Sequence, residues 1–165
     1  MEIVRAWSLL GMVCLLATVR GQVPTEKLSD IQNKALTLLT EDFHNIENIY
    51  LRFQVISVLQ AAEETFPGGI FVSLHVRKKQ TNCVKTELKS KDCRVIKAGR
   101  VFNCFSCFKF EHGSLKLLAK AIDCVPDRQV NQELEQKRRQ RCRAVEHKNE
   151  TGLKLPGSLS FVKDQ

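Results

Sequence analysis

Beyond residue 21 the sequence has no tryptophan and no apolar run near the roughly 20 residues that a membrane-spanning helix needs. Its one Cys-x-x-Cys, Cys104-Phe105-Ser106-Cys107, has no second pair and no paired histidines at zinc-finger spacing. A redox Cys-x-x-Cys would need a βαβ pattern and a reducing compartment, and neither is visible. His44, His75, His112 and His147 are scattered, with no nucleophile or metal ligand near them in sequence. These absences argue against a membrane span, and they leave zinc binding and enzyme chemistry without support. No metal and no cofactor is expected.

What is present begins with a leader. Trp7 to Val19 is a charge-free run of apolar and small residues, too short for a bilayer. Val19-Arg20-Gly21 then offers the two positions a signal peptidase inspects. Residues 1–21 therefore read as a secretory signal peptide, with Gln22 as the first mature residue. The full chain carries +8, and losing Arg5, Arg20 and Glu2 with the leader leaves +7 on one domain-sized piece of 144 residues. A basic extracellular protein meets anionic partners: sulfated glycans, bacterial surfaces or acidic receptor surfaces.

Cys14 leaves with the leader, so seven cysteines become six: Cys83, Cys93, Cys104, Cys107, Cys124 and Cys142. An even count in a secreted chain implies three disulfides, and six cysteines allow 15 connectivities. A Cys83–Cys93 bond would bracket the charged loop TELKSKD and stabilise the fold by about 3 kcal/mol. Asn149-Glu150-Thr151 is the single N-glycosylation sequon, placing an exposed loop near the end of the chain.

The first mature element is a helix. Leu28, Ile31, Ala35, Leu38, Leu39, Phe43 and Ile46 recur at steps of three and four, with Thr25 as its expected cap. Strand signals follow over Phe53–Leu59, and over Ile70, Val72, Leu74 and Val76, which alternate with Phe71, Ser73, His75 and Arg77. Phe66-Pro67-Gly68-Gly69 supplies the turn between them. A third strand fits Arg100–Phe110, and Leu115–Cys124 reads as strand or helix. The expected fold is α+β: one long helix covering the single apolar face of an antiparallel sheet of about four strands, stapled by disulfides. From Gln129 to Arg143 the chain is polar and basic, with a thin stripe of Val130 and Leu134. It reads as an appendage pinned by Cys142.

The chain ends in LPGSLSFVKDQ, an apolar segment where loose termini are normally polar. Together with FPGGIFVSLHVRKKQTNC (Phe66–Cys83), the CFSC pair and TEDFHN in the first helix, this ending resembles the chemerin family (retinoic acid receptor responder proteins 2), of the cystatin/cathelicidin-like superfamily. The resemblance spans nearly the whole mature chain. It implies a cystatin-like domain over 22–124, a flexible C-terminal extension over 125–162, and a removable propeptide over 163–165. It implies the pairs Cys83–Cys93, Cys104–Cys124 and Cys107–Cys142. It further implies a secreted chemoattractant and adipokine precursor, activated by C-terminal proteolysis through serine proteases and carboxypeptidases. The partner would be a chemokine-like G-protein-coupled receptor in inflammation and adipose tissue. On this chain the activating residues are Leu155, Pro156, Gly157, Leu159, Phe161 and Val162, with cleavage at Val162 and Lys163. Leu153, Leu155 and Leu159 stand where the family places rings, leaving Phe161 as the tail's one aromatic. Their shared parity with Phe161 also fits a tail docked on the body as a last strand.

Two superfamily alternatives are weaker. An antimicrobial precursor acting on anionic bacterial membranes would release a long cationic C-terminal helix, which is lacking, although His75, Arg77, Lys78 and Lys79 lead into a charged loop with Lys85, Lys89 and Lys91. Lys137, Arg138, Arg139 and Arg141 form a basic cluster that reads as a heparan sulfate site, a convertase site or a solvated helix face. A cystatin-type protease inhibitor needs a Q-x-V-x-G loop, and the nearest match, Gln54-Val55-Ile56-Ser57-Val58, puts a β-branched residue at the glycine. The chain is accordingly expected not to inhibit a papain-like protease at micromolar concentration. Tight inhibition in a peptide-substrate assay would move it to the inhibitor class.

Overall fold

The structure, a computed structural model, describes residues 25–86 and 92–150. Helix α1 (Asp30–His44) is followed by strands β1 (Leu51–Phe66), β2 (Gly69–Val84), β3 (Val101–Phe110) and β4 (Leu117–Pro126), and then by helix α2 (Gln132–Glu146). The strands form one antiparallel sheet in the order β1-β2-β3-β4. The ambiguous segment Leu115–Cys124 is thus a strand over most of its length. No helix among the described residues is long and apolar enough to cross a membrane.

Helix α1 starts later than the sequence suggests. Thr25–Lys27 is a separate 3-10 turn, and Ser29 is the cap. The Ser29 hydroxyl accepts from the Gln32 amide while the Gln32 side chain accepts from the Ser29 amide, a reciprocal capping box. Thr25 has no helix to cap. Ile31, Ala35, Leu39 and Phe43 form the buried stripe, whereas Ile46 lies beyond the helix and is exposed.

Beneath that stripe, the even-numbered residues of β2 and β3 make the main core. Val72, Leu74, Val76, Cys104, Phe108 and Phe110 are fully enclosed there. Strand β1 joins them by breaking strict alternation. Its register slips between Val55 and Ser57 and again between Val58 and Gln60. Each irregularity shifts the inward parity, so Phe53, Val58 and Ala61 all reach the core. Such bulges also bend a strand, here around α1. At the hairpin, Gly69 has φ +145°, and a Cβ there would sit 2.4 Å from the Phe110 carbonyl oxygen. Only glycine allows β2 to start so close to β3.

The single-faced sheet is the expectation that fails. Helix α2 covers the opposite face, where Cys107, Cys142 and Val145 form a second cluster with Phe71, Phe105, Ala119 and Ala121. Strand β3 is therefore buried on both sides. The disulfides are Cys83–Cys93, Cys104–Cys124 and Cys107–Cys142. The first closes the loop after β2, the second joins directly opposed residues of β3 and β4, and the third ties α2 to β3.

One core position is charged in principle. Lys78 continues the inward row of β2 and is fully buried, its Nζ 3.0 Å from Thr40 Oγ1 and 4.9 Å from the centre of the Phe43 ring. Burial lowers its pKa from 10.5 to about 7. Nearby, His44 Nε2 accepts from the Phe53 amide at 3.0 Å. Burial, then the charges of Lys78, Arg52 and Lys85, lowers the His44 pKa to about 4, so the ring stays neutral and keeps its acceptor. The unfolded chain holds protons that the folded chain releases at both sites. Stability therefore falls as pH drops from 6.5 toward 4 through His44, and rises as pH climbs from about 7 toward 10.5 through Lys78. In Lys78→Met the alkaline rise should flatten, and the variant should be more stable than the parent at pH 6. Urea midpoints across pH 6–9, disulfides intact, measure both effects, each unit of pKa displacement being worth about 1.4 kcal/mol.

Candidate functional site

The site residues that the family resemblance implies lie at the C-terminal side of the chain, so the relevant geometry is how α2 and its exit are held. Asn131 caps α2 by accepting from the Leu134 amide at 2.8 Å, and Glu133 and Glu135 face the positive end of the helix. The buried residues of α2 are Arg138, Cys142 and Val145, spaced as one helical face. An arginine stands at the first of these positions, which is why no apolar stripe marks the helix in the sequence.

Arg138 points into the body, with its side chain 2% exposed. Its Nε donates to Asp123 Oδ2 at 2.7 Å, its Nη1 to Asn103 Oδ1 at 2.8 Å, and its Nη2 to the Asn103 carbonyl at 3.0 Å. Asn103 Oδ1 also meets His75 Nε2 at 2.8 Å, and Asn103 Nδ2 donates to Asp127, which pairs with Arg77. These side chains come from β2, β3, β4, the 3-10 turn that follows β4 (Asp127–Gln129) and α2. They satisfy one another in the layer where the outward-facing residues of a one-sided sheet would have met water.

The exit of α2 is clamped a second time. Lys109, fully buried on β3, donates to the Glu146 carbonyl at 2.8 Å and to Glu150 Oε1 at 2.6 Å. Its ammonium lies 4.3 Å from the centre of the Phe66 ring. The Glu150 carboxylate accepts in turn from the Gly68 amide in the β1–β2 turn, at 3.1 and 3.2 Å. The Lys109 hydrogen bond holds the Glu150 carboxyl below the usual carboxylate range. A Cβ on Gly68 would come within 2.8 Å of the Asn149 carbonyl oxygen, so that glycine permits the chain to pass across the turn. The chain is thus tied to the hairpin tip up to Glu150.

The sequence-derived site residues divide accordingly. Leu155, Pro156, Gly157, Leu159, Phe161, Val162 and Lys163 lie outside the described residues, as does the leader. Asn149 is exposed next to the clamp. The basic cluster does not act as one surface. Arg138 is a buried anchor, correcting its grouping with exposed cations. Lys137 pairs with Glu133 at 2.7 Å, Arg139 with Glu135 at 3.6 Å, and Arg141 stands 3.9 Å from Asp123. Gln54–Val58 lies within β1, away from the hairpin tip, and Val58 is buried. Sequence reasoning missed Lys109, Glu150 and Asn103. The signal for Lys109 was a lysine inside the apolar run CFKF; nothing local marks Glu150.

No family model matches the chain. It is 33% identical over 159 residues to retinoic acid receptor responder protein 2 of Bos taurus, covering 95% of this chain and 97% of the relative. The Homo sapiens protein of the same name is 32% identical over 143 residues, covering 86% and 87%. The Mus musculus protein is 30% identical over 157 residues, covering 94% of each. Among solved structures, dimeric human cystatin F superposes with a TM-score of 0.47 and 17% identity, over 64% of this chain and 86% of that one.

Removing the anchor tests how α2 is held. Arg138→Ala leaves the Asp123 carboxylate with only Arg141, 3.9 Å away, as a cation partner and leaves Asn103 without its guanidinium donors, and is expected to lower stability by about 2–4 kcal/mol. Arg138→Met combined with Asp123→Leu should cost less, because no charge is left buried alone. Guanidinium unfolding with disulfides intact distinguishes the two.

Proposed function

Because the chain belongs to the retinoic acid receptor responder protein 2 family, we propose that it is a secreted chemoattractant and adipokine-type precursor, activated by proteolysis near its C-terminus. Its trimmed end is then an agonist of a chemokine-like G-protein-coupled receptor in inflammation and adipose tissue. Residues 1–21 are the signal peptide. The folded body, disulfide-stapled, continues through α2 to the clamp, the segment beyond carries the message, and 163–165 are the removable end.

The observation that best supports this reading is the Glu150 clamp. Two disulfides fix β3 to its neighbours, one of them to α2, and Lys109 and Gly68 hold the chain where α2 ends. The 15 residues that follow start from a defined point on the body. Fully extended, such a segment reaches at most about 50 Å, enough to carry Phe161 and Val162 into a receptor cavity while the body stays outside.

The chemistry of the last residues supplies the switch. A receptor cavity rewards apolar and aromatic anchors in desolvated pockets. Lys163 and Asp164 would each have to shed water there, at a cost of several kcal/mol if unpaired. A trypsin-like protease cuts after Lys163, and a basic carboxypeptidase removes the lysine, leaving Val162 as the terminus. Neither step involves catalysis by this chain, which acts as substrate and then as ligand.

Chains ending at Gln165, Lys163, Val162 and Phe161 should therefore differ in a receptor-expressing cell assay. Removing Lys163-Asp164-Gln165 is expected to raise potency at least about tenfold, equivalent to about 1.4 kcal/mol. Phe161→Ala in the trimmed chain should lose most of that gain. Equal signalling by full-length and trimmed chains, or a silent Phe161→Ala, would make the tail a packing element.

A further inference from the structure

The end of the sheet farthest from the clamp gathers cations that have no carboxylate partner among the described residues. Arg100 and Arg128 line an open-sided groove of about 480 Å³ between the start of β3 and the end of β4, with Val101, Phe102 and Pro126 along its floor. Val101 is paired with Lys79 of β2, and Lys79 Nζ donates to the Lys97 carbonyl at 2.9 Å, which brings the Lys79 ammonium and the backbone of exposed Lys97 to the same end. The one acid lining the groove, Asp127, already pairs with Arg77, whose hydrogen bond holds its carboxyl below the usual range. Arg100 engages neutral groups, the Gln80 side chain and the Phe53 ring. Arg128 and the Lys97 ammonium are exposed and have no partner among the described residues.

Helix α2 presents the opposite case. Three of its exposed cations, Lys137, Arg139 and Arg141, stand near carboxylates, and Arg138 is inside the protein, which leaves Arg143 as the exposed cation of the helix without an ion pair among the described residues. An anion arriving at Lys137 or Arg139 must compete with Glu133 or Glu135. At the groove it displaces only water and counterions.

We propose that this groove, not the α2 cluster, is a docking site for a sulfated glycan chain. A guanidinium offers paired N–H donors that match the oxygens of a tetrahedral or planar oxyanion, so Arg100 and Arg128 are suited to sulfate groups. A linear polyanion needs an open-sided row of cations and not an enclosing pocket, and the apolar floor can cover the carbon face of a sugar ring. The site is also remote from the point where the tail leaves the body. Val101 and Phe110 mark opposite ends of β3, about 30 Å apart at roughly 3.3 Å per residue, and the clamp sits at the Phe110 end. The proposal stands independently of the receptor reading.

The test is retention of the full mature chain on immobilised heparin, against a sulfonate cation exchanger that reports charge alone. Lys97→Ser/Arg128→Ser removes two exposed cations without partners, so folding is unaffected; Arg100→Ser is added as a third arm. The control is Lys137→Ser/Arg139→Ser/Arg141→Ser, which removes more charge from α2. The groove double variant should lower the slope of log affinity against log salt by about two. It should also elute earlier from heparin than the α2 triple variant, by more than the exchanger difference explains. A larger heparin shift in the α2 variant, equal shifts on both columns, or an unchanged groove variant would overturn the proposal. So would a groove variant that keeps heparin affinity but loses binding to phosphatidylglycerol vesicles, which would make the groove a membrane-contact surface.

Discussion

Burial of β3 on both faces is the constraint on which the rest of the structure depends. An antiparallel sheet usually keeps one side for solvent, but here α1 takes one face of β3 and α2 takes the other. Cys104, Phe108 and Phe110 look toward α1, while Asn103, Cys107 and Lys109 look toward α2. The second group is polar or reactive, and in a dry layer each member needs a partner. Cys107 finds Cys142, Asn103 finds Arg138, and Lys109 finds Glu146 and Glu150. Each partner lies on α2 or just after it. Satisfying β3 therefore places the helix and fixes where the chain leaves it.

This arrangement ties the described part of the chain into one body up to Glu150. On the α2 side of the sheet the body commits two buried cations, Arg138 and Lys109, to internal structure and leaves others in local pairs along α2. At the groove end of the sheet Arg128 is exposed without an ion pair among the described residues, and the acid beside it, Asp127, is paired with Arg77. The clamp and the cationic groove fall at opposite ends of β3.

Disulfides and ionic contacts contribute differently. Cys107–Cys142 and the Arg138 network both attach α2, yet the disulfide acts largely by restricting the unfolded chain, more so over its separation of 35 residues. Arg138 sets geometry, because its planar fork aligns with Asp123 and Asn103 only when the helix lies at one rotation about its axis. A helix with so little apolar surface would otherwise have weak reason to prefer one face.

Wherever hydrophobic period and turn chemistry were strong, the sequence alone determined the outcome. The α1 stripe, the alternation of β2, the Pro-Gly-Gly turn and a helix-on-sheet α+β class follow from local side-chain pattern, since periods of 3.6 and 2 decide which face is buried. The even cysteine count implied disulfides, but spacing left their pairing open, and only the family resemblance suggested it. Tertiary structure decided the remainder. The second half of β1, Gln60–Thr65, has poor strand propensity and is a strand because Ile70–His75 pairs with it across a tight turn. Bulges erased its alternation. Helix α2 was hidden because its inward position is an arginine, and burial of that side chain depends on Asp123 and Asn103, 15 and 35 residues away in the chain. The same holds for Glu150, whose partners are 41 and 82 residues distant. Local sequence reports periodic apolar surface; it cannot report a charge that becomes burial-tolerant only when distant elements bring its partner.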